Sequence, residues 1–216
     1  PFLIANLANL LSYACLFGVF FLIPFVLVRV YQDSELAAGL RLSILPVMLG
    51  VLAPVGGALS DRFGARTPTT VGMVVCMAAL ALLYVFLDGS ASNMTMVVLA
   101  LALFGVGQGL FVSPNSSAVM GLAPPHLTGE AGSVLNVMRF LGISAGIAAS
   151  STVLALSLGV IHGGTGGTVD APAAMLIAAS RDVIMLLICL AAAAGLLSLM
   201  RPGEPANRGE RVFVPE

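Results

Sequence analysis

The sequence predicts an all-α integral membrane protein with six transmembrane helices. Of its 216 residues, 59% are hydrophobic and 9% are charged, whereas about 25% of the residues in a soluble globular domain are charged. The apolar residues form six runs, each near the ~20 residues that a helix needs to cross the hydrocarbon core of a bilayer. The predicted spans are 2–28, 36–59, 69–87, 95–121, 129–158 and 180–200, and a polar tail follows over 201–216.

Charge and cysteine content bear on the possible partners. The net charge of −1 gives no support to nucleic-acid binding. Cys15, Cys76 and Cys189 lie inside apolar runs without the spacing of metal ligands, and we interpret them as small buried hydrophobic residues. We therefore expect no metal site and no cofactor. No basic segment precedes the apolar run that begins after Pro1, so we expect a piece of a longer chain rather than a signal peptide.

The first span carries a polar stripe. Asn6, Asn9 and Tyr13 are spaced i, i+3, i+7 and share one helical face, with Phe17 following one turn later. A polar stripe on a spanning helix faces protein or water rather than lipid. It therefore predicts either hydrogen bonds between helices or the lining of a substrate cavity, and the sequence leaves both open.

The second and third spans differ in character. Pro46 and Pro54 predict a bent second helix, which membranes tolerate because neighbouring helices satisfy the freed carbonyls. Arg41, near the start of this span, is expected to extend its side chain to the interface. The third span has no polar face, which favours a peripheral position facing lipid.

The fourth span contains Gly105 and Gly109, a small-xxx-small pattern that favours close helix packing. The string 105–109 resembles part of a dinucleotide-binding fingerprint, but that motif follows a strand, and this one lies inside a spanning run. Gln108 and Asn115 are seven residues apart, so they share a face that we expect to look into a cavity.

The fifth span has a second glycine pair and two polar side chains. Gly142 and Gly146 bracket a G-x-S-x-G string, but a nucleophile elbow needs a strand–turn–helix, so we interpret them as a packing face. Asn136 and Arg139 precede the pair. Arg139 lies about 15 Å along the helix from Gly129. A charge at that depth is expected to face a cavity or a partner.

The basic residues set the orientation. With six spans, both ends of the chain lie on one side of the membrane. That side holds five arginines and the other at most three. The positive-inside rule therefore predicts a protein of the plasma or inner membrane with both termini on the cytoplasmic side. The five are Arg62, Arg66, Arg201, Arg208 and Arg211.

The stretch 57–66, which joins the second and third spans, reads Gly-Ala-Leu-Ser-Asp-Arg-Phe-Gly-Ala-Arg. Its charges must lie in water, because they are costly in hydrocarbon. The spacing G-x-L-x-D-R-x-G-x-R resembles the signature loop of the major facilitator superfamily of secondary transporters. The residues in register are Gly57, Leu59, Asp61, Arg62, Gly64 and Arg66. The chain departs from the pattern at 65–67, where many members carry two consecutive basic residues.

The resemblance extends over nearly the whole chain and is strongest to the carboxy-terminal half of the fourteen-span multidrug-efflux branch, the drug:proton antiporters. It implies one six-helix half-bundle of a longer transporter, with the bilayer, a small-molecule substrate and an amino-terminal half as partners. It also implies alternating access by rocking of the two halves. In that family, the first, second, fourth and fifth helices of each half line the central cavity, and Asp61 meets the other half in one state, steadied by Arg62 and Arg66.

The sequence thus yields one set of cavity candidates, which are Asn6, Asn9, Tyr13, Phe17, Gln108, Asn115, Asn136 and Arg139. None of the ten acidic residues lies mid-span, so a proton carrier is expected in the other half.

Uptake of sugars or organic anions by a carrier of the same superfamily stays open as an alternative. A membrane protein that is not a transporter is a further one. An enzyme is not expected, because His126 and His162 lie in loops.

Overall fold

The computed structural model describes residues 1–161 and 172–201, which form seven α-helices and no strand. The helices are α1 (Phe2–Arg29), α2 (Glu35–Leu42), α3 (Ile44–Phe63), α4 (Arg66–Phe86), α5 (Met94–Gly121), α6 (Thr128–Ile161) and α7 (Ala173–Leu199). Taking α2 and α3 as one, six are long and apolar enough to cross a membrane. The predicted all-α fold is confirmed. His162 and the tail from 202 onward lie outside the described residues.

The second span is interrupted rather than bent at its prolines. Ser34 caps α2, since its Oγ accepts a hydrogen bond from the Ala37 N–H at 3.3 Å. The helix stops at Ser43, whose hydroxyl donates to the Leu40 carbonyl at 2.7 Å. Pro46 then falls in the first turn of α3, where a missing N–H is no loss. Only Pro54 lies in the helix interior.

One other expectation about helix ends needs correction. Arg41 forms an ion pair with Asp33, with 3.2 Å between Nη1 and Oδ2, so its charge is held at the α1–α2 turn, and its predicted position at the interface stays a prediction. The last helix begins at Ala173, seven residues before the predicted start of the sixth span. Arg181 is therefore two turns inside α7 instead of opening it.

The helices form two groups with the same internal arrangement. In one group α5 packs against α3 and α4, and in the other α1 packs against α6 and α7. The groups meet where α4 contacts α7 and where α1 contacts α5. The core is aliphatic, with Phe104 and Phe111 as its largest fully buried side chains. Because α1 and α5 are the central helices, the side chains between them are buried and reach neither water nor lipid.

Glycines set the closest helix approaches. A Cβ on Gly109 would lie 2.8 Å from the Leu49 carbonyl oxygen of α3, and one on Gly105 would meet the Leu45 carbonyl. On α6, Gly142 and Gly146 face carbonyl oxygens of α1 in the same way. Both glycine strings lie inside helices, as the packing interpretation requires.

The third span has one packed face and one open face. Gly72, Met73 and Leu80 are buried on the side of α4 that contacts α5 and α7. Val71 and Val85 are exposed on the other side. An apolar helix with one open side is the arrangement expected of a peripheral membrane helix.

At the end of the bundle away from the chain termini, Tyr31 ties two turns together. Its hydroxyl accepts from the Gly89 N–H at 3.2 Å and donates to the Phe86 carbonyl at 3.4 Å. Burial raises the pKa of Tyr31, so the hydroxyl keeps its proton and its donor role at physiological pH.

Candidate functional site

The signature segment is mostly helix, not loop. Gly57, Asp61 and Arg62 belong to the last turns of α3, and α4 begins at Arg66, so only residues 64–65 connect the two helices. Gly64 makes the turn possible with φ of 77° and ψ of 158°, a conformation that is essentially restricted to glycine. Its N–H donates to the Ser60 carbonyl at 2.8 Å and closes the helix.

The charges of this segment point away from the bundle. Asp61, Arg62 and Arg66 are all exposed. The Arg62 guanidinium lies 5.4 Å from the centroid of the Phe63 ring. Within 1–161 and 172–201, the Asp61 carboxylate has no hydrogen bond or ion pair. The segment therefore presents an acid and two bases on one end of the bundle.

Four of the predicted cavity residues are buried inside the half-bundle, two on α1 and two on α5. Asn6, Asn9, Gln108 and Asn115 are at most 1% exposed. The Ser12 hydroxyl donates to Gln108 Oε1 at 2.8 Å, and Asn115 Nδ2 donates to the Ala5 carbonyl at 3.1 Å. These hydrogen bonds join α1 to α5 through Gln108 and Asn115, whereas Asn6 and Asn9 of the polar stripe are buried without a described hydrogen bond to another helix.

The α1–α5 seam is not fully satisfied by protein. Asn6 Nδ2 donates to the Phe2 carbonyl at 3.0 Å, yet its Oδ1 has no partner in the described part of the chain. Asn9 lacks described partners at both amide atoms, and Gln108 lacks one at Nε2. Buried amide groups without a hydrogen bond cost folding free energy, so this seam is less stable than the apolar part of the core.

Arg201 is a site residue that sequence reasoning misses. The sequence predicts it in an exposed tail, but it is only 4% exposed, and its Nη1 donates to Asn115 Oδ1 at 2.8 Å. This hydrogen bond links the end of α7 to α5 and, through Asn115, to Ala5 at the start of α1. The usable signal is Asn115 itself, a lone amide facing inward near the end of a helix that lies beside the chain termini.

The other four cavity candidates lie on the open side of α1 and α6. Tyr13 and Phe17 are half-buried, and Asn136 is exposed one turn before Arg139. Arg139 is half-buried, with its Cζ 5.1 Å from the centroid of the Tyr13 ring. The eight predicted residues thus form two sets, a buried seam and an open aromatic and basic face.

The comparisons with known proteins agree with this architecture. A family model described as Major Facilitator Superfamily matches residues 1–147. The riboflavin transporter RibZ of Clostridioides difficile is 33% identical over 159 residues, which are 71% of this chain and 34% of that protein. The multidrug resistance protein B homolog of Mycobacterium tuberculosis H37Rv is 29% identical over 69% of this chain and 28% of its own length.

A solved structure shares the fold. An auto-inhibited peptide transporter of the POT family superposes with a TM-score of 0.59 at 21% identity, covering 95% of this chain and 38% of that chain. The chain spans about a third of the length of the relatives that it matches. The match to the family model over residues 1–147 shows that this chain belongs to the Major Facilitator Superfamily, and its relatives include multidrug resistance proteins.

Proposed function

We propose that this chain is the carboxy-terminal half of a secondary transporter that exports small amphipathic or drug-like molecules in exchange for protons. The observation that carries the proposal is the signature segment, in register and at the junction of α3 and α4, in a chain whose relatives include multidrug resistance proteins. Family membership supports transport in general. The branch and the direction are our inference.

The exposure of two helices supports a missing half. Of the most apolar window of the α2–α3 span only 11% is buried, and of the α6 window 28%, against 56% for α1. Val51 and Phe140 are 60% and 65% exposed on these helices. In our proposal the amino-terminal half covers these faces and the cavity forms between the halves, as alternating access requires.

Asp61 is the proposed contact of the signature segment with the other half. Its carboxylate is exposed and unpaired in the described part of the chain. The N-terminus of a facing helix would attract it through the helix dipole. A contact made in only one of two states biases the equilibrium between them. Arg62 and Arg66 flank the acid and would hold its position.

The coupling proton is assigned to the other half. Asp61 and Glu130 lie in the last turn of α3 and the first turn of α6, and Glu35 opens α2. Asp182 lies more than two turns inside α7, where its Oδ2 accepts a hydrogen bond from the Ser157 hydroxyl at 2.7 Å. A proton antiporter needs a titratable group in its cavity, and in our proposal the sixth spanning helix, α7, does not line that cavity. We place the protein in the plasma or inner membrane with both ends of this segment in the cytoplasm, following the distribution of arginines.

A second candidate is an uptake carrier for organic anions or a vitamin. One relative is named a riboflavin transporter. The open face also carries Arg139, which suits an anionic or polar cargo better than a cationic drug. The direction of transport separates the two candidates.

Transport in everted membrane vesicles tests the proposal. The complete protein containing this chain is expressed, and the movement of ethidium is followed after the vesicle lumen is acidified. Accumulation that an uncoupler abolishes supports proton-driven export. Asp61→Asn should slow it about tenfold, the scale of a typical coupling energy. Asp88→Asn, at the other end of the bundle, is the matched control. Riboflavin uptake into right-side-out vesicles, with no ethidium accumulation in everted ones, would instead support the carrier.

A further inference from the structure

Arg139 is a cation at mid-membrane depth without a described counter-charge. It lies about 16 Å along α6 from Thr128, at 1.5 Å per residue. At this level it meets Tyr13, near the middle of α1. Its Nε has no hydrogen-bond partner in the described part of the chain, and the guanidinium instead lies over the Tyr13 ring.

Other arginines of the bundle do not share this situation. Arg41 has Asp33 as an ion-pair partner at 3.2 Å. Arg181 also lies over a ring, 5.6 Å from the centroid of Tyr84, but Tyr84 is two residues from the end of α4, where water and headgroups are within reach. Among the described residues, Arg139 alone combines a central position with an aromatic ring and no described acid.

The chemistry of the pair selects its ligand. A guanidinium cannot lose its proton in a protein, so Arg139 stays charged inside the membrane. The guanidinium lies over the Tyr13 ring in a cation–π contact, with Cζ 5.1 Å from the ring centroid, and it carries five N–H donors in a planar fork. Two parallel N–H donors match a carboxylate in a bidentate pair. Asn136, exposed one turn away, adds an amide to the same open face.

We propose that Arg139, which lies over the Tyr13 ring, binds a carboxylate in the assembled transporter. The carboxylate belongs either to the transported molecule or to an Asp or Glu side chain of the amino-terminal half. The proposal rests on the proposed function, because it needs a second half or a cargo to bring the acid to this face. It goes further because it assigns a carboxylate ligand to the open face of α1 and α6.

Binding of a matched dye pair tests the first source. Rhodamine 110 carries a free carboxylate, and rhodamine 123 is its methyl ester. Their affinities are measured by fluorescence anisotropy with the purified complete protein and the variants Arg139→Gln and Arg139→Lys. If the cargo supplies the carboxylate, Arg139→Gln weakens rhodamine 110 about tenfold, as loss of a charged hydrogen-bonded pair implies. Rhodamine 123 changes less than twofold.

Thermal unfolding tests the second source. If the other half supplies the acid, both dyes respond alike, and Arg139→Gln lowers the melting temperature. Neutralising one acid of the amino-terminal half then restores it. Arg181→Gln is the control, because it makes the same change in a cation–ring pair at the membrane edge. If Arg139→Gln does not accumulate, Arg139→Lys, which keeps the charge but loses the bidentate fork, takes its place with the same expected direction.

The proposal is overturned if neither dye selectivity nor a rescuable loss of melting temperature appears. A drop in melting temperature that no neutralisation restores also overturns it, since Arg139 would then be structural only. These measurements do not require transport. A protein that shows the carboxylate preference but moves no dye across vesicles contradicts the proposed export and leaves the carboxylate site standing.

Discussion

Single residues matter most where backbones touch. Gly146 faces the backbone of Ala14, and no side chain fits between α6 and α1 at this point. A Cβ on Gly159, on the same helix, would meet no described atom within 4 Å. The two glycines therefore separate packing from helix propensity within one element.

Gly146→Ala should destabilise the protein by about 1–3 kcal/mol, because a methyl group forced into a packed contact displaces backbone. Gly159→Ala should be neutral or stabilise by up to about 1 kcal/mol through helix propensity. Thermal unfolding of the complete protein in detergent measures both. Equal melting temperatures for the two variants would contradict the close α1–α6 contact.

The Arg201–Asn115 hydrogen bond makes a second prediction for a single side chain. Asn115→Leu removes the acceptor of a buried guanidinium and the donor to the Ala5 carbonyl. Hydrogen bonds to charged groups are worth about 1.5–3 kcal/mol, so the variant should unfold at a clearly lower temperature. Ser117→Ala, exposed two residues further along α5, is the control. An unchanged melting temperature would show that Arg201 does not depend on this amide.

Among the elements, turns hold the helices in register. Tyr31 joins the turn after α1 to the turn after α4, so two helices that are distant in sequence are fixed at one end. The α1–α2 turn is held a second time by the Asp33–Arg41 ion pair.

Tyr31→Phe keeps the ring and removes both hydrogen bonds. We expect a loss of about 1 kcal/mol and faster hydrogen exchange at the Gly89 amide, which loses its acceptor. Tyr84→Phe is the control, since the Tyr84 hydroxyl has no hydrogen bond in the described part of the chain. Exchange at Gly89 that stays as slow as in the unchanged protein would rule out the Tyr31 clasp.

The bundle taken as a whole has two kinds of surface. Its α4 and α7 side is mostly apolar and suits lipid, and Arg181 of α7 lies over the Tyr84 ring near the end of α4. Its α3 and α6 side is also apolar, but Asn136 and Arg139 of α6 lie on it. Contact of these polar and charged side chains with lipid costs free energy. This asymmetry is the reason to expect a protein partner on one side.

This chain expressed alone should therefore form dimers or larger oligomers in detergent, and co-expression of the amino-terminal half should yield a one-to-one complex. Size-exclusion chromatography with light scattering distinguishes these states. A stable monomer of this chain alone, unaffected by the other half, would contradict the two-half model.

Much of the architecture is predictable because it depends on local properties. Hydrophobic run length predicts a spanning helix whatever its neighbours are. The signature stretch works similarly, since the Gly64 turn and the charges beside it are read from ten consecutive residues. Break points are less predictable: Pro46 predicts a bend, but the chain has already stopped at Ser43 and restarted with Pro46 in a first turn.

A six-helix membrane protein of a transporter family follows from the amino-acid order without further help, because apolar length and one short motif are properties of the chain alone. Which side of each helix matters depends instead on packing. Asn9 and Tyr13 are four residues apart, yet Asn9 is fully buried and Tyr13 is half-buried beneath Arg139 of α6. Likewise, only packing at the end of α7 turns Arg201 from a tail residue into a buried partner of Asn115. Facing directions depend on which helix becomes the neighbour, and that choice is made by all the helices of the bundle together.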